Sequence, residues 1–573
     1  VATGTGCEEI EVSRAALELF EKHEASLRAA GQACRERSYF TLFPETPDRH
    51  RGGAAASEAG SAAFRAQLGQ AFDLDQPGTV DRIGGEVSPY TLEPLGIDYP
   101  RADIDALFAA ARAAMRPWAA ATPQARLGVC MEIVDRLYGN VFETAQAVMH
   151  TAGQSGPMSY AGSGTNALDR GVEALAYAHA AMSDVPAEAL WERRFGSTTI
   201  RLRKRYQLVP RGVAVCFACA TFPTWNAYPA MLASLATGNP VIVKPHPTAI
   251  LPMALAVRTC REVLASAGFS PDLVTLCLDT VDAPVGKVLV KHPQTAIVDF
   301  TGSARFGSWV EANAHPALCY SETSGVNTVV VDSVDQLEPV IKSLATTMSL
   351  FSAQMCTSPQ NVYVPRDGIR HAGGRIGADE FGALLAQAMA AIAADPKRAA
   401  PIMAAIQSSS TPALIDQMTA EGARRGRVLL ASAPYAHPEF AQARTRTPLL
   451  VGIDAGAKDL YAEERFGPIG FVITTDDRDA ALAEAAADAR AGGGITAFLY
   501  STDEQYTARA IAAYSAAGAQ LTCNLTGPMP LNFAAAYSDY HVTGMNPAGN
   551  ATLTDLAFVA SRFRITQSRA PVA

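Results

Sequence analysis

Three residues of this 573-residue chain have the side-chain types that acyl chemistry needs: Cys356 in "FSAQMCTSPQN", Glu322 in "YSETSGVN" and Asn226 in "TFPTWNAYP". A thiolate attacks carbonyl carbon readily, a carboxylate takes a proton from water, and an amide donates to an oxyanion. Each also has a plainer reading. Cys356 is one of ten cysteines, and a cysteine often serves as a small buried hydrophobe. Glu322 reads as a loop charge, beside a glycine that lets backbone approach closely. Asn226 reads as the N-cap of a helix. Catalysis requires elements that bring such groups together, with something to accept electrons or a leaving group.

Those elements are visible from residue 211 onward. "GVAVCF", "PVIVK", "LVTLCL" and "AIVDF" read as buried strands, separated by helices at Ala227–Ala236, 252–267 (closed by Gly268) and near 284–291. Strands alternating with helices predict parallel βαβ units, with a nucleotide at the carboxyl edge of the sheet. Lys244 ends "VIVK", where a surface lysine is the plain reading. Gly302 and Gly307 bracket a turn into a helix in "FTGSARFG", together with Ser303 and Arg305. A second α/β stretch starts after 326 with "NTVVVD", a helix over about 336–350 and the cysteine loop. "EERFGP" adds Glu464 and Phe466.

Upstream, residues 8–36 carry a helical pattern with Leu17, Phe20, Leu27 and Ala30 near one face. "FPETP" and "RGGAAASEAGSAAF" read as loops or a linker. Residues 101–150 read as helical again, and "TTIRLRKRY" (198–206) as an exposed strand or hairpin that another element must cover.

A net charge of −9 argues against nucleic-acid or anionic-membrane partners, and no apolar run is long enough to span a bilayer. The start "VATGTGCEEIEV" lacks the features of a signal peptide, and scattered cysteines favour a reducing cytoplasm. "CFAC" (216–219) has CxxC spacing on a buried strand without a second pair. The histidines show no ligand spacing, so no metal is expected.

In this order, "TWN", "VIVKP", "FTGSxxxG", "ETSGVN", "QMCT" and "EERFGP" resemble the aldehyde dehydrogenase superfamily, over residues from about 96 to about 566. The resemblance implies an α/β fold in which a Rossmann-type NAD(P)-binding domain (96–195 and 211–325) adjoins an α/β catalytic domain (326–535). It also implies small oligomerisation arms (196–210 and 550–573), beside a helical, loop-rich N-terminal extension (1–95). Cys356 then matches the nucleophile, the Asn226 amide and the Cys356 N–H the oxyanion hole, and Glu322 the base that activates water. Lys244, Phe222, Trp225, Gly302, Ser303, Gly307, Glu464 and Phe466 match cofactor-binding positions. A homodimer or tetramer is implied. The sequence departs from the family at Thr224, where Pro usually precedes the Trp-Asn pair, and in "ETSGVN" for "ELGGK". Pro247 stands where the family has a ribose-binding glutamate; with His246 adjacent, this leans the cofactor towards NADP over NAD.

The longer stretches "FTLFPETP", "FDLDQPGTVDRIGGEVSPYTLEPLGIDYP", "QMCTSPQNVYVP" and "VYVPRDGI" resemble the phenylacetic acid degradation (PaaN) branch of that family. This implies a semialdehyde substrate on, or derived from, a CoA-linked ring-cleavage pathway for aromatic acids. The chain stops soon after "SRFRIT", leaving no room for the ring-opening hydratase domain of fused relatives, so oxidation alone is expected. Glu322 implies a free carboxylate product. The alternatives are a CoA-acylating dehydrogenase and a non-catalytic nucleotide-binding protein on the same scaffold.

Overall fold

The computed structural model describes residues 5–323, 325–527 and 555–572. Its first sheet has five parallel strands in the order Val274–Leu276, Val241–Lys244, Val213–Phe217, Thr295–Gly302 and Leu318–Thr323. "VAVCF" and "VIVK" are buried at every position, as a parallel sheet covered on both faces requires. The helices Ala227–Ala236 and Leu251–Ser266 lie where the pattern predicts, and Gly268 follows the second in the left-handed region at φ +80°. The edge strand Leu318–Thr323 was not legible: "LCYSET" has no apolar run, and it is held as a strand by pairing with Thr295–Gly302. Glu322 therefore sits on a strand opposite Thr301 and is not a loop charge.

The second sheet has seven strands, in the order Arg427–Leu430, Leu449–Asp454, Ile469–Thr475, Pro359–Pro365, Asn327–Val331, Thr496–Tyr500 and Gln520–Cys523. All run parallel except the edge strand Arg427–Leu430. Helix Leu337–Ser349 leaves one central strand, Asn327–Val331, and the cysteine loop returns the chain to its neighbour Pro359–Pro365.

The N-terminal extension shares a core with the helices beside the first sheet. Helix Thr5–Glu36 buries Ala16, Leu27, Ala30, Ala33 and Cys34, with Phe20 half-buried. Leu17 is 37% exposed, because it lies one residue off the stripe that Ala16, Phe20, Leu27 and Ala30 define. "RGGAAASEAGSAAF" is no linker: Gly53–Gln67 is a helix that buries Phe64. Alanine is the best helix former, and its abundance there outweighs the glycines. Residues 101–150 form Ile104–Ala120, Pro123–Gly139 and Val141–Ala152, the first capped by Asp103, which accepts Ala106 N–H at 2.9 Å.

Outside these layers lies a three-stranded antiparallel sheet, Phe563–Pro571, Thr198–Pro210 and Glu188–Phe195. The hairpin thus begins at 188, ahead of the 196–210 span expected from sequence. Residues 528–535 and 550–554 of the expected boundaries lie outside the described residues. Among the described residues no helix is long and apolar enough to cross a membrane.

Candidate active site

The cysteine loop opens on an unusual turn. Phe351, Ser352 and Ala353 all adopt left-handed backbone, at φ 49°, 49° and 50°. Each such non-glycine residue costs roughly 1–2 kcal/mol, so neighbouring structure must hold the turn. Ser352 Oγ donates to Met403 O at 2.9 Å, and Gln354 Nε2 donates to Phe351 O at 3.1 Å and Ala405 O at 3.0 Å. Gln354 Oε1 accepts Gln407 N–H at 2.8 Å. The Phe351 ring meets Phe222 edge-on at 5.5 Å, in a small apolar cluster with Met158 and Met355.

Past the turn, buried Asn327 fixes the backbone of Cys356. Its Nδ2 donates to Cys356 O at 2.8 Å and Ser358 O at 2.9 Å, and its Oδ1 accepts the N–H groups of Ile495 and Thr496, both at 3.0 Å. Gly325, two residues earlier, has no room for a side chain: a Cβ there would lie 2.3 Å from Gly493 O. Cys356 stays partly exposed, whereas Cys34, Cys130, Cys216, Cys260 and Cys277 are buried. Its thiol pKa is raised well above the ordinary value, first by desolvation and then by the carboxylate of Glu322, by Cys219 and by Glu464. Such a thiol keeps its proton until a base or a nearby positive charge removes it.

Asn226 precedes helix Ala227–Ala236, yet its side chain makes no cap hydrogen bond. Its Nδ2 is buried without a hydrogen-bond partner among the described residues. Such a donor costs about 1–3 kcal/mol, which makes it a natural place for a ligand's acceptor. Asn226 and Glu322 line one small cleft with Thr301, Phe300 and Tyr320 at the carboxyl edge of the first sheet. Glu322 thus shares this cleft with Asn226 and acts electrostatically on Cys356; the amide of Asn226 is not bonded to the sulfur.

Lys244 is not the surface residue its position suggested. It is buried, with Nζ 2.5 Å from Asp279 Oδ1 and donating to Pro245 O at 3.0 Å. Gly302 closes its strand, and Ser303 caps helix Ala304–Asn313 by accepting Phe306 N–H at 3.4 Å, with Gly307 buried in the first turns. A Cβ on Gly302 would lie 2.8 Å from Phe300 Cζ. A strand end, a side-chain-free turn and a helix N-terminus on the edge that carries Lys244 fit the phosphates and ribose of a dinucleotide. Arg305 is exposed, without an ion-pair partner among the described residues. Phe222 and Trp225 pack inside the protein, Phe222 on the cysteine turn and Trp225 against the Arg170 guanidinium at 4.9 Å. Glu464 and Phe466 are half-buried in a loop that Gln360 clamps, donating to Tyr461 O at 2.9 Å and Glu463 O at 3.2 Å and accepting Arg465 N–H at 2.6 Å.

The model of the aldehyde dehydrogenase family matches residues 87–534. The chain belongs to the aldehyde dehydrogenase family. Its structure superposes on that of an NAD-dependent aldehyde dehydrogenase from Burkholderia multivorans with a TM-score of 0.94, at 45% identity over 97% of this chain and 99% of that one. Vanillin dehydrogenase from Pseudomonas fluorescens is 27% identical over 484 residues, 82% of this chain and 89% of that protein. A 1-pyrroline-5-carboxylate dehydrogenase from Thermus with bound NAD shares the fold at TM-score 0.71 and 17% identity, covering 93% of this chain and 99% of that one. The protein is an NAD(P)-dependent aldehyde dehydrogenase.

Sequence reasoning missed five residues that shape this dehydrogenase's site: Asn327, Gln354, Gln360, Asp279 and Glu86. The first three are polar residues inside or beside the quoted motifs, and they are buried. Polar side chains kept in an apolar stretch were the available signal, because burial requires that they be bonded. Glu86, from the N-terminal region, accepts the N–H groups of Ile250 and Leu251 at 2.5 and 2.9 Å and so caps the helix that follows the Lys244 turn. Cys216 points at Ala227 O, 3.9 Å away, and no cluster of His, Cys, Asp or Glu among the described residues could hold a metal.

Proposed function

We propose that this dehydrogenase oxidises a semialdehyde from CoA-linked aromatic-acid breakdown, as in the PaaN branch, to the free carboxylate. Cys356 gives up its proton to solvent water and its sulfur attacks the aldehyde carbon, so that the carbonyl oxygen becomes the oxyanion of a thiohemiacetal. The Asn226 amide and the Cys356 N–H are the donors assigned to that oxyanion. The nicotinamide cofactor, when bound, supplies the hydride acceptor, and loss of hydride from the carbon leaves a thioester on Cys356. Glu322 then takes a proton from water, the hydroxide attacks the thioester carbon, and the C–S bond breaks to release the carboxylic acid. Phe222 and Trp225 serve by holding the turn between the first strand and Asn226. Glu464 acts on the Cys356 thiol from the Gln360-clamped loop, which also carries Phe466. Free thiols at nine of the cysteines, from Cys34 to Cys523, support a reducing, cytoplasmic setting. The apolar residues exposed on the arm, Leu190 at 64% and Ile565 at 54%, support its covering by another copy in a homodimer or tetramer.

The observation that carries this reading is Cys356 itself, a partly exposed residue whose carbonyl Asn327 holds and on whose thiol Glu322 and Glu464 act. Reduced-nicotinamide formation with a panel of aldehydes, including thioester semialdehydes, tests it beside Cys356→Ala. Turnover that the variant abolishes and that yields free acid supports the reading. A rate that rises with CoA and an acyl-CoA product would establish the acylating alternative, and nucleotide binding without turnover of any aldehyde a non-catalytic role.

A further inference from the structure

Lys244 closes one strand of the first sheet, and Asp279 lies three residues past the end of its neighbour Val274–Leu276. Both are buried, and the Lys244 ammonium is 2.5 Å from Asp279 Oδ1. Asp279 Oδ2 accepts Val285 N–H at 3.0 Å, which holds the carboxylate beside the ammonium, while Oδ1 makes the ion pair without a hydrogen bond among the described residues. The pair sits at the carboxyl edge that also carries the Gly302–Ser303 turn, where a dinucleotide binds in such sheets.

The charge balance of this corner bears on whether the adenosine ribose carries a 2′-phosphate. An unpaired lysine here would attract that phosphate. Paired with Asp279, its charge is neutralised, and the carboxylate opposes a second anion. His246, two residues on, does not restore positive charge: Nδ1 accepts Thr248 N–H at 3.3 Å, and burial and the Lys244 charge push its pKa down to about 4. Pro247 brings no charge.

We propose that Asp279, through its buried ion pair with Lys244, makes this dehydrogenase select NAD over NADP. Asp279 is a positioning and specificity residue here, and the inference rests on reading this sheet edge as the dinucleotide site. It reverses the NADP lean drawn from Pro247 and His246, because the carboxylate missing at 247 comes instead from the loop after the neighbouring strand.

Calorimetric titration of the full-length protein with NAD, NADP, 5′-ADP and 2′,5′-ADP tests the proposal without reference to turnover. The wild type is expected to bind NAD and 5′-ADP about ten- to a hundredfold more tightly than their 2′-phosphorylated counterparts, the scale of one like charge near a phosphate. Asp279→Asn and Asp279→Ser are expected to narrow that ratio by about tenfold, with thermal unfolding measured alongside. Equal or tighter binding of the 2′-phosphorylated ligands by the wild type overturns the proposal and leaves the dinucleotide site standing. So does a folded variant that keeps the wild-type ratio. Binding of none of the four ligands overturns the site itself. If neither variant folds, the two wild-type ratios decide: both must favour the unphosphorylated ligand, and failure of either overturns the proposal.

Discussion

Asn327 Nδ2 lies 2.8 Å from the carbonyl oxygen of Cys356, and the other end of the same amide receives two N–H groups from the start of strand Thr496–Tyr500. One buried side chain thus joins the Cys356 backbone to two strands of the second sheet. Asn327→Ala leaves two carbonyls and two N–H groups short of a partner. We expect a stability loss of about 2–4 kcal/mol, read in denaturant unfolding, and a fall in kcat larger than any rise in KM. Unchanged stability would contradict the clamp.

The environment of Cys356 sets a pH dependence with a definite sign. Burial and nearby carboxylates hold the thiol protonated above its ordinary range, so alkylation of the free enzyme by iodoacetamide should still be rising with pH beyond about 9. Glu322→Gln removes a negative charge that disfavours the thiolate, so the alkylation curve should move to lower pH. A shift to higher pH would show that Glu322 acts on the sulfur mainly as a proton acceptor.

Asn226 offers a contrast between stability and rate. Its Nδ2 is a buried donor without a partner among the described residues, so Asn226→Ala should leave thermal stability unchanged or slightly raised. If the amide serves the oxyanion, kcat should fall by about a hundredfold or more. A variant that loses stability but not rate would make Asn226 a packing residue.

The parallel strands and their helices were legible because fully buried β-branched runs alternate with helix-length segments. Motif order then pointed to Cys356, Glu322 and Lys244. Several features were not legible because tertiary contacts create them. Strand Leu318–Thr323 exists by pairing with Thr295–Gly302, and Lys244 is buried beside Asp279 from the loop after strand Val274–Leu276. The Gly53–Gln67 helix was obscured by glycines that alanine propensity overrides. Asn327, Gln354 and Gln360 matter for bonds to residues far along the chain, which spacing alone does not reveal.

The left-handed turn before Cys356 predicts a stabilising substitution. Ala353→Gly places the residue that best tolerates φ 50° where alanine now sits. We expect stability to change little or to rise by up to about 1 kcal/mol, since relief of strain offsets the greater freedom of the unfolded chain. A fall of more than about 1 kcal/mol in urea unfolding would mean that the turn is not left-handed in solution.

The central claim is that oxidation passes through an acyl group on Cys356. Rapid mixing of Glu322→Gln with an aldehyde substrate and the nicotinamide cofactor, followed by acid quench and peptide mass analysis, measures it directly. The account predicts about one equivalent of reduced nicotinamide per site and an acyl adduct on the Cys356 peptide, with neither formed by Cys356→Ala. Reduced nicotinamide formed by Cys356→Ala at the wild-type rate, or an acyl group on any other residue, would contradict it.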